Sequence, residues 1–222
     1  MLLYIKQLAA RLLLKADEKE APGMMAYMKN QFHFLGIKMD PRRNSFKAHI
    51  KENPIKSEVE LKTISKALWD MPAREYQYCA IELMASNKKL WSINIVEFFE
   101  FCITHKSWWD TVDFICTELL APYFKLYPEQ TIGLTNSWNN SENFWLQRSS
   151  LLFQKPYKKD TDVELLSNYI LNLRESKEYF VQKAIGWILR EYAKTDDKWV
   201  LAFVNNTDLA PLSKREALKH LR

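Results

Sequence analysis

The sequence predicts an all-α fold, a curved stack of short helix pairs. Three observations carry that prediction. The 222 residues include only 4 glycines, Gly23, Gly36, Gly133 and Gly186, where a β-rich fold needs more for its turns. Helix-start signals recur along the chain, and no segment reads convincingly as a strand. Apolar residues reach 47% and aromatics 14%, which suits a packed interior and not a disordered chain.

The elements follow in order. MLLYIKQLAARLLLKADEKE could pass for a signal peptide, but Lys6 and Arg11 interrupt the apolar run and no small-residue cleavage site follows. Leu2, Ile5, Leu8, Ala9, Leu12 and Leu13 recur at helical spacing, so residues 2–15 are expected to form an amphipathic helix. Further helices are expected over 20–35, 41–52, 57–70, 73–86, 90–105, 107–126, 128–138, 142–154, 161–173, 177–194, 196–205 and 213–221. Asp40 is placed as an N-cap with Pro41 at the first helical position. Ser57-x-x-Glu60, Thr161-x-x-Glu164 and Ser213-x-x-Glu216 match the capping box. Ser107 is placed as a further N-cap, with Asp110 three residues on. Pro54, Pro72, Pro122, Pro128, Pro156 and Pro211 are read as breaks between periodic segments. Helix pairs recur about every 35–40 residues, in the range of HEAT-like repeats. Each pair buries one face on its neighbours and the stack curves, leaving a concave face suited to a long ligand.

Several function classes are disfavoured. Cys79, Cys102 and Cys116 are too few and scattered for a disulfide framework and read as reduced, buried thiols of a cytosolic protein. His33, His49, His105 and His220 stand alone, so no metal site from side chains is expected. No run of about 18 apolar residues suggests a membrane span. No G-x-S-x-G motif supports a serine hydrolase. A net charge of +5 and a pI near 8.9 are compatible with a polyanionic partner, provided the charge clusters.

Three segments draw interest. In SWWDTVD, residues 107 to 113, Trp109 and Asp113 sit at i and i+4 on one helical face, a carboxylate against an indole. Trp108 reads as core. A groove lined by rings but open on one side reconciles the dry ring with the wet acid. In FWLQRSSLLFQ, Arg148 interrupts an apolar stripe of Phe144 and Leu151, either snorkelling along the core edge or held rigidly for a phosphate. In KAIGWILREYAK, Lys183, Trp187 and Arg190 share one face beside a stripe of Phe180, Ala184 and Ile188. Cations interleaved with aromatics can bind nucleic acid, the cations on phosphates and the rings on bases. Each segment alone is more readily ordinary packing or a solvated face.

Taken together, SWWDTVD, NFWLQRSSLLFQ and SKEYFVQKAIGWILREYAKT resemble the signatures of the AlkD-type DNA alkylation repair glycosylases, as do MAYMKNQFHFLGIKMDPRR, LWDMPAREYQYCAIELM and the closing LAPLSKREALKHLR. The resemblance spans nearly the whole chain. It implies a single domain over 1–222, built of HEAT-like repeats with a basic concave groove for duplex DNA. It implies excision of cationic alkylated purines, N3-alkyladenine and N7-alkylguanine, without flipping the lesion into a pocket. Carried over by position, the key aspartate falls on Asp113, the flanking indoles on Trp109 and Trp187, and the phosphate-binding arginine on Arg148. Tyr27 matches a tyrosine of the DNA-approaching N-terminal helices. Arg43, Lys183 and Arg190 are the further basic groove positions. Lys38 and Met39 fall where members vary and receive no contact.

The chemistry independently needs such residues. A purine alkylated at N3 or N7 is already cationic and leaves without protonation, so no general acid is required. Cleavage builds oxocarbenium character on the sugar, which a fixed carboxylate stabilises while orienting water. An indole face attracts the cationic base by roughly 0.5–2 kcal/mol. A single carboxylate suffices; Asp110 reads as a first-turn acid on the helix dipole. The expectation is therefore a cofactor-free, metal-free hydrolase acting as a monomer in the bacterial cytosol on double-stranded DNA containing alkylated purines, with no membrane partner. The rival is a non-catalytic helical scaffold for nucleic acid or protein.

Overall fold

The computed structural model describes residues 2–221, and they fold as helices without a strand. The isolated parallel bridge found is His33 to Ala73. By its internal contacts the chain divides into two compact units, Met1–Ile95 and Val96–Arg222. No described helix is long and apolar enough to cross a membrane.

The first unit contains α1 (Leu2–Leu13), α2 (Ala21–Tyr27), α3 (Met39–Glu52), α4 (Glu58–Asp70) and α5 (Arg74–Ser86). α4 and α5 form its most extensive pair, and α1 packs on α3 and α4. Leu8, Leu12, Phe46, Leu61, Leu68 and Trp69 make its core. Ser57 caps α4 as expected, accepting from the Glu60 N–H at 3.2 Å, while the Glu60 carboxylate accepts from Lys56 N–H at 2.9 Å. The cap of α3 is Lys38 and not Asp40. Pro41 sits inside the first turn, where an N–H has no helical partner to lose.

The helix expected over 20–35 is cut short. After α2 the chain turns through Lys29 and Asn30, both with positive φ, 56° and 57°. It then runs irregularly along α5, because Leu35 and Ile37 donate their N–H groups to the buried Glu75 carboxylate at 3.0 and 3.2 Å. Gly36, at φ +78°, lets this happen: a Cβ there would meet the Asp17 carbonyl oxygen at 2.0 Å.

The second unit holds α6 (Ile95–Thr104), α7 (Trp109–Ile115), α8 (Ala121–Leu126), α9 (Thr131–Asn139), α10 (Phe144–Leu152), α11 (Val163–Leu173), α12 (Tyr179–Tyr192), α13 (Asp197–Asn206) and α14 (Pro211–Ala217). α10 packs among α7, α9, α11 and α12, and α12 packs closely on α14. That placement explains why α10 is buried on several faces and shows little amphipathic pattern.

Four sequence expectations change here. Pro122 does not break the chain: α7 and α8 form one rod joined by a π-helical turn, Cys116–Leu120, where Ala121 N–H reaches Cys116 O. The wider turn makes room for a ring that lacks a donor and would crowd the carbonyl four residues back. Ser107 does not cap α7; its hydroxyl donates back to Ile103 O at 2.6 Å, and Trp108 holds the cap position. Asp162, not Thr161, caps α11, accepting from Leu165 N–H at 2.9 Å. Ser213 lies inside α14, which starts at Pro211; it is fully buried and donates to Gln182 O at 2.9 Å.

Candidate active site

The second unit brings Asp113, Arg148 and Trp187 together. Asp113 lies in the second turn of α7, four residues after Trp109, so the two share a face. Arg148 comes from the middle of α10, whose start is fixed by Asn143 accepting from Trp145 N–H at 2.9 Å. Its guanidinium grips Asp113 side-on: Nε donates to Oδ1 at 2.7 Å and Nη2 to Oδ2 at 3.0 Å. Nη1 donates to the carbonyl of Phe180. Three of five N–H groups are thereby engaged.

The pair is nearly dry. Only 5% of the Arg148 side chain and 13% of the Asp113 side chain remain exposed. Phe180 is held by rings, with centroids 5.2 Å from Trp108 and 4.8 Å from Trp145, which steadies the carbonyl that Arg148 uses. Burial pushes the Asp113 carboxyl above its ordinary range, while Arg148 and Lys155 pull the other way.

The reading of Asp113 as a wet acid facing an open groove is corrected by this geometry. A charge taken out of water needs a partner, and the guanidinium fork matches both carboxylate oxygens. Arg148 is likewise not snorkelling at the core edge but buried.

Trp187 stands half-buried on α12, with Arg148 Cζ 5.8 Å and Lys155 Nζ 4.0 Å from its ring centroid. Trp109 is half-buried at the start of α7. Lys183 and Arg190 share one carboxylate, Glu216, at 2.9 and 2.8 Å. The close packing of α12 and α14 is set by Gly186, where a Cβ would meet Glu216 Cβ at 2.5 Å and Ser213 O at 2.6 Å. In the first unit, Arg43 donates from Nε to Glu82 at 2.8 Å, and the same carboxylate takes Arg42 in a bidentate pair. Tyr27, at the end of α2, is 68% exposed.

The comparisons with known proteins bear on this arrangement. A family model described as DNA alkylation repair enzyme matches residues 8–221. The chain belongs to that family. Among solved structures, one described as a predicted DNA alkylation repair enzyme from Enterococcus faecalis superposes with a TM-score of 0.87 at 34% identity, over 93% of this chain and 97% of that one. No curated protein matches. This member of the DNA alkylation repair family is thus an all-α helical-repeat protein with a role in alkylation repair, and DNA is its substrate.

Two members of the constellation were missed in the sequence. Glu216 reads as half of a capping box, and its spacing from Ser213 holds no hint of α12. Lys155, just beyond α10, lies outside the 183–194 run, and the basic-aromatic pattern it completes with Trp187 exists only in three dimensions.

Proposed function

We propose that this protein is a DNA N-glycosylase that hydrolyses the bond between deoxyribose and a cationic alkylated purine, N3-alkyladenine or N7-alkylguanine, in duplex DNA. One observation carries the reading: a single carboxylate, Asp113, is held nearly dry in a fixed orientation by Arg148, whose guanidinium also faces the Trp187 ring. Asp113 stabilises the oxocarbenium-like sugar and orients water. Each of its oxygens accepts one bond from Arg148 and has capacity for another. Trp109 and Trp187 offer π faces to the positive base. Arg148 orients the carboxylate, and its two remaining N–H groups serve a backbone phosphate. Tyr27 and Arg43 approach DNA from the first unit, with Lys183 and Arg190 as further basic positions. A covalent route through sulfur is disfavoured, because burial pushes the Cys79 and Cys116 thiols up to about 12.

A second reading is favoured by the same ion pair. If Asp113 exists to neutralise Arg148, the protein recognises lesions without hydrolysis. Single-turnover assays on methylated duplex decide between them. Asp113→Asn is expected to keep DNA binding and lose excision of 7-methylguanine on the order of 100-fold or more, as when a positioned electrostatic group is removed. Unchanged release, or none by the wild type, refutes the glycosylase.

A further inference from the structure

The cations near the candidate site fall into two groups. Arg148, Lys183 and Arg190 each have a carboxylate between 2.7 and 2.9 Å away. Lys155 and Lys158 have none: among the described residues neither ammonium has a carboxylate at ion-pair distance or a hydrogen-bond acceptor. The Lys155 ammonium is held over the Trp187 ring at 4.0 Å.

Both lysines line one cavity of about 270 Å³, together with Thr161, Glu191, Lys194 and Thr195. Its one acid is already spoken for, because Glu191 accepts from Lys194 Nζ at 2.7 Å. The cavity therefore carries an excess of positive charge.

Its floor is built rather than floppy. Gln154, 2% exposed, grips Asp162 twice: Oε1 accepts from Asp162 N–H at 2.7 Å and Nε2 donates to Asp162 O at 3.2 Å. Tyr157 ties the same loop to Ala121 O at 2.7 Å. Within it Lys158 takes φ +54°, a conformation that non-glycine residues adopt at a cost of order 1 kcal/mol or more. Lys158 thus brings a cation to the cavity lining on a loop that is otherwise pinned.

We infer that this cavity receives a backbone phosphate of the duplex, next to the Trp187 face. Lys155 and Lys158 supply the charge. A phosphate oxygen is a stronger partner for an ammonium than an indole is. Engagement of the backbone thus draws Lys155 off Trp187 and uncovers the ring for a base. The inference deepens the proposed function: it rests on DNA as the substrate and not on excision.

The test is a salt series for binding of undamaged duplex, followed by anisotropy. Removing one phosphate contact lowers the slope of log K against log salt by about 0.9. Lys155→Met and Lys158→Met are each expected to show that loss, and Lys155→Arg to restore it. Lys66→Met, in the first unit and paired with Asp70 at 2.6 Å, is expected to keep the wild-type slope. Unchanged slopes in both Lys155→Met and Lys158→Met, with melting temperatures intact, overturn the inference. So does a melting-temperature rise with inorganic phosphate that Lys155→Met abolishes while duplex slopes stay put, which assigns the cavity to a free anion. A wild type that shows the slopes but releases no 7-methylguanine keeps this phosphate site and loses the glycosylase.

Discussion

Asp113 and Glu216 look alike on the surface: 13% of each side chain is exposed and each holds an arginine. Their surroundings set them apart. Glu216 lies near the edge of its unit, and hydrogen bonds from Lys183 and Arg190 pull its carboxyl down to about 2. Asp113 lies deep in its unit, and burial pushes its carboxyl up against the opposing pull of Arg148. One carboxylate is satisfied by two cations. The other is left with its ionised form disfavoured, so it gains more from a newly arriving positive charge. Under the glycosylase function proposed above, that asymmetry favours Asp113 over Glu216 as the acid that meets a cationic nucleotide.

The largest effect that breaks or sharpens this contrast comes from removing the cations. Arg148→Ala leaves the Asp113 carboxylate buried with no guanidinium, which is expected to cost about 3–5 kcal/mol in equilibrium urea unfolding. Glu216→Ala leaves Lys183 and Arg190 at 33% and 20% side-chain exposure, free to turn toward water, and is expected to cost about 1 kcal/mol. Equal losses would mean the two pairs are energetically alike and the distinction is empty.

An intermediate loss is expected from the packing that creates the Glu216 cluster. Gly186→Ala puts a methyl within 2.6 Å of the Ser213 carbonyl oxygen, so α14 must shift outward. Overpacking of that kind costs about 1–3 kcal/mol. Lys183 and Arg190 then lose their shared partner together. An unchanged midpoint in the same unfolding assay would show that α12 and α14 are looser than their separation implies.

The fold class was legible because it rests on local signals: periodicity, scarce glycine and the Ser57 cap all report nearest neighbours in sequence. What went wrong went wrong where tertiary contacts outweigh local ones. The segment after Tyr27 has helical composition, but Glu75 from α5 claims its N–H groups; Gly36 was the available clue. Pro122 signals a break, yet a π turn absorbs it. The candidate site divides the same way. Trp109 and Asp113 are neighbours on one helix and could be paired from spacing. The Arg148 grip on Asp113 spans 35 residues, and no pattern in either segment encodes it. Lys155 and Glu216 escaped for the same reason.

The finest discrimination comes from pH. The Glu216 carboxyl is lowered in the folded state from an ordinary 4.5 to about 2. Its stabilisation is therefore fully present above pH 4.5 and is lost as pH falls from there toward 2. The stability gap between the wild type and Glu216→Gln should be flat near neutrality and close on acidification through that window. Asp113 has the opposite sign. Its folded value is raised above 3.8, so its protonated form is the one folding favours, and its contribution is lost as pH rises through the folded value. Against Asp113→Asn, the wild type should gain relative stability as the solution is acidified. Urea unfolding of all three proteins from neutral pH down to about 3 reads both gaps at once. Gaps that move in the same direction would show that Arg148 outweighs burial at Asp113, and that the two acids are held by one kind of force.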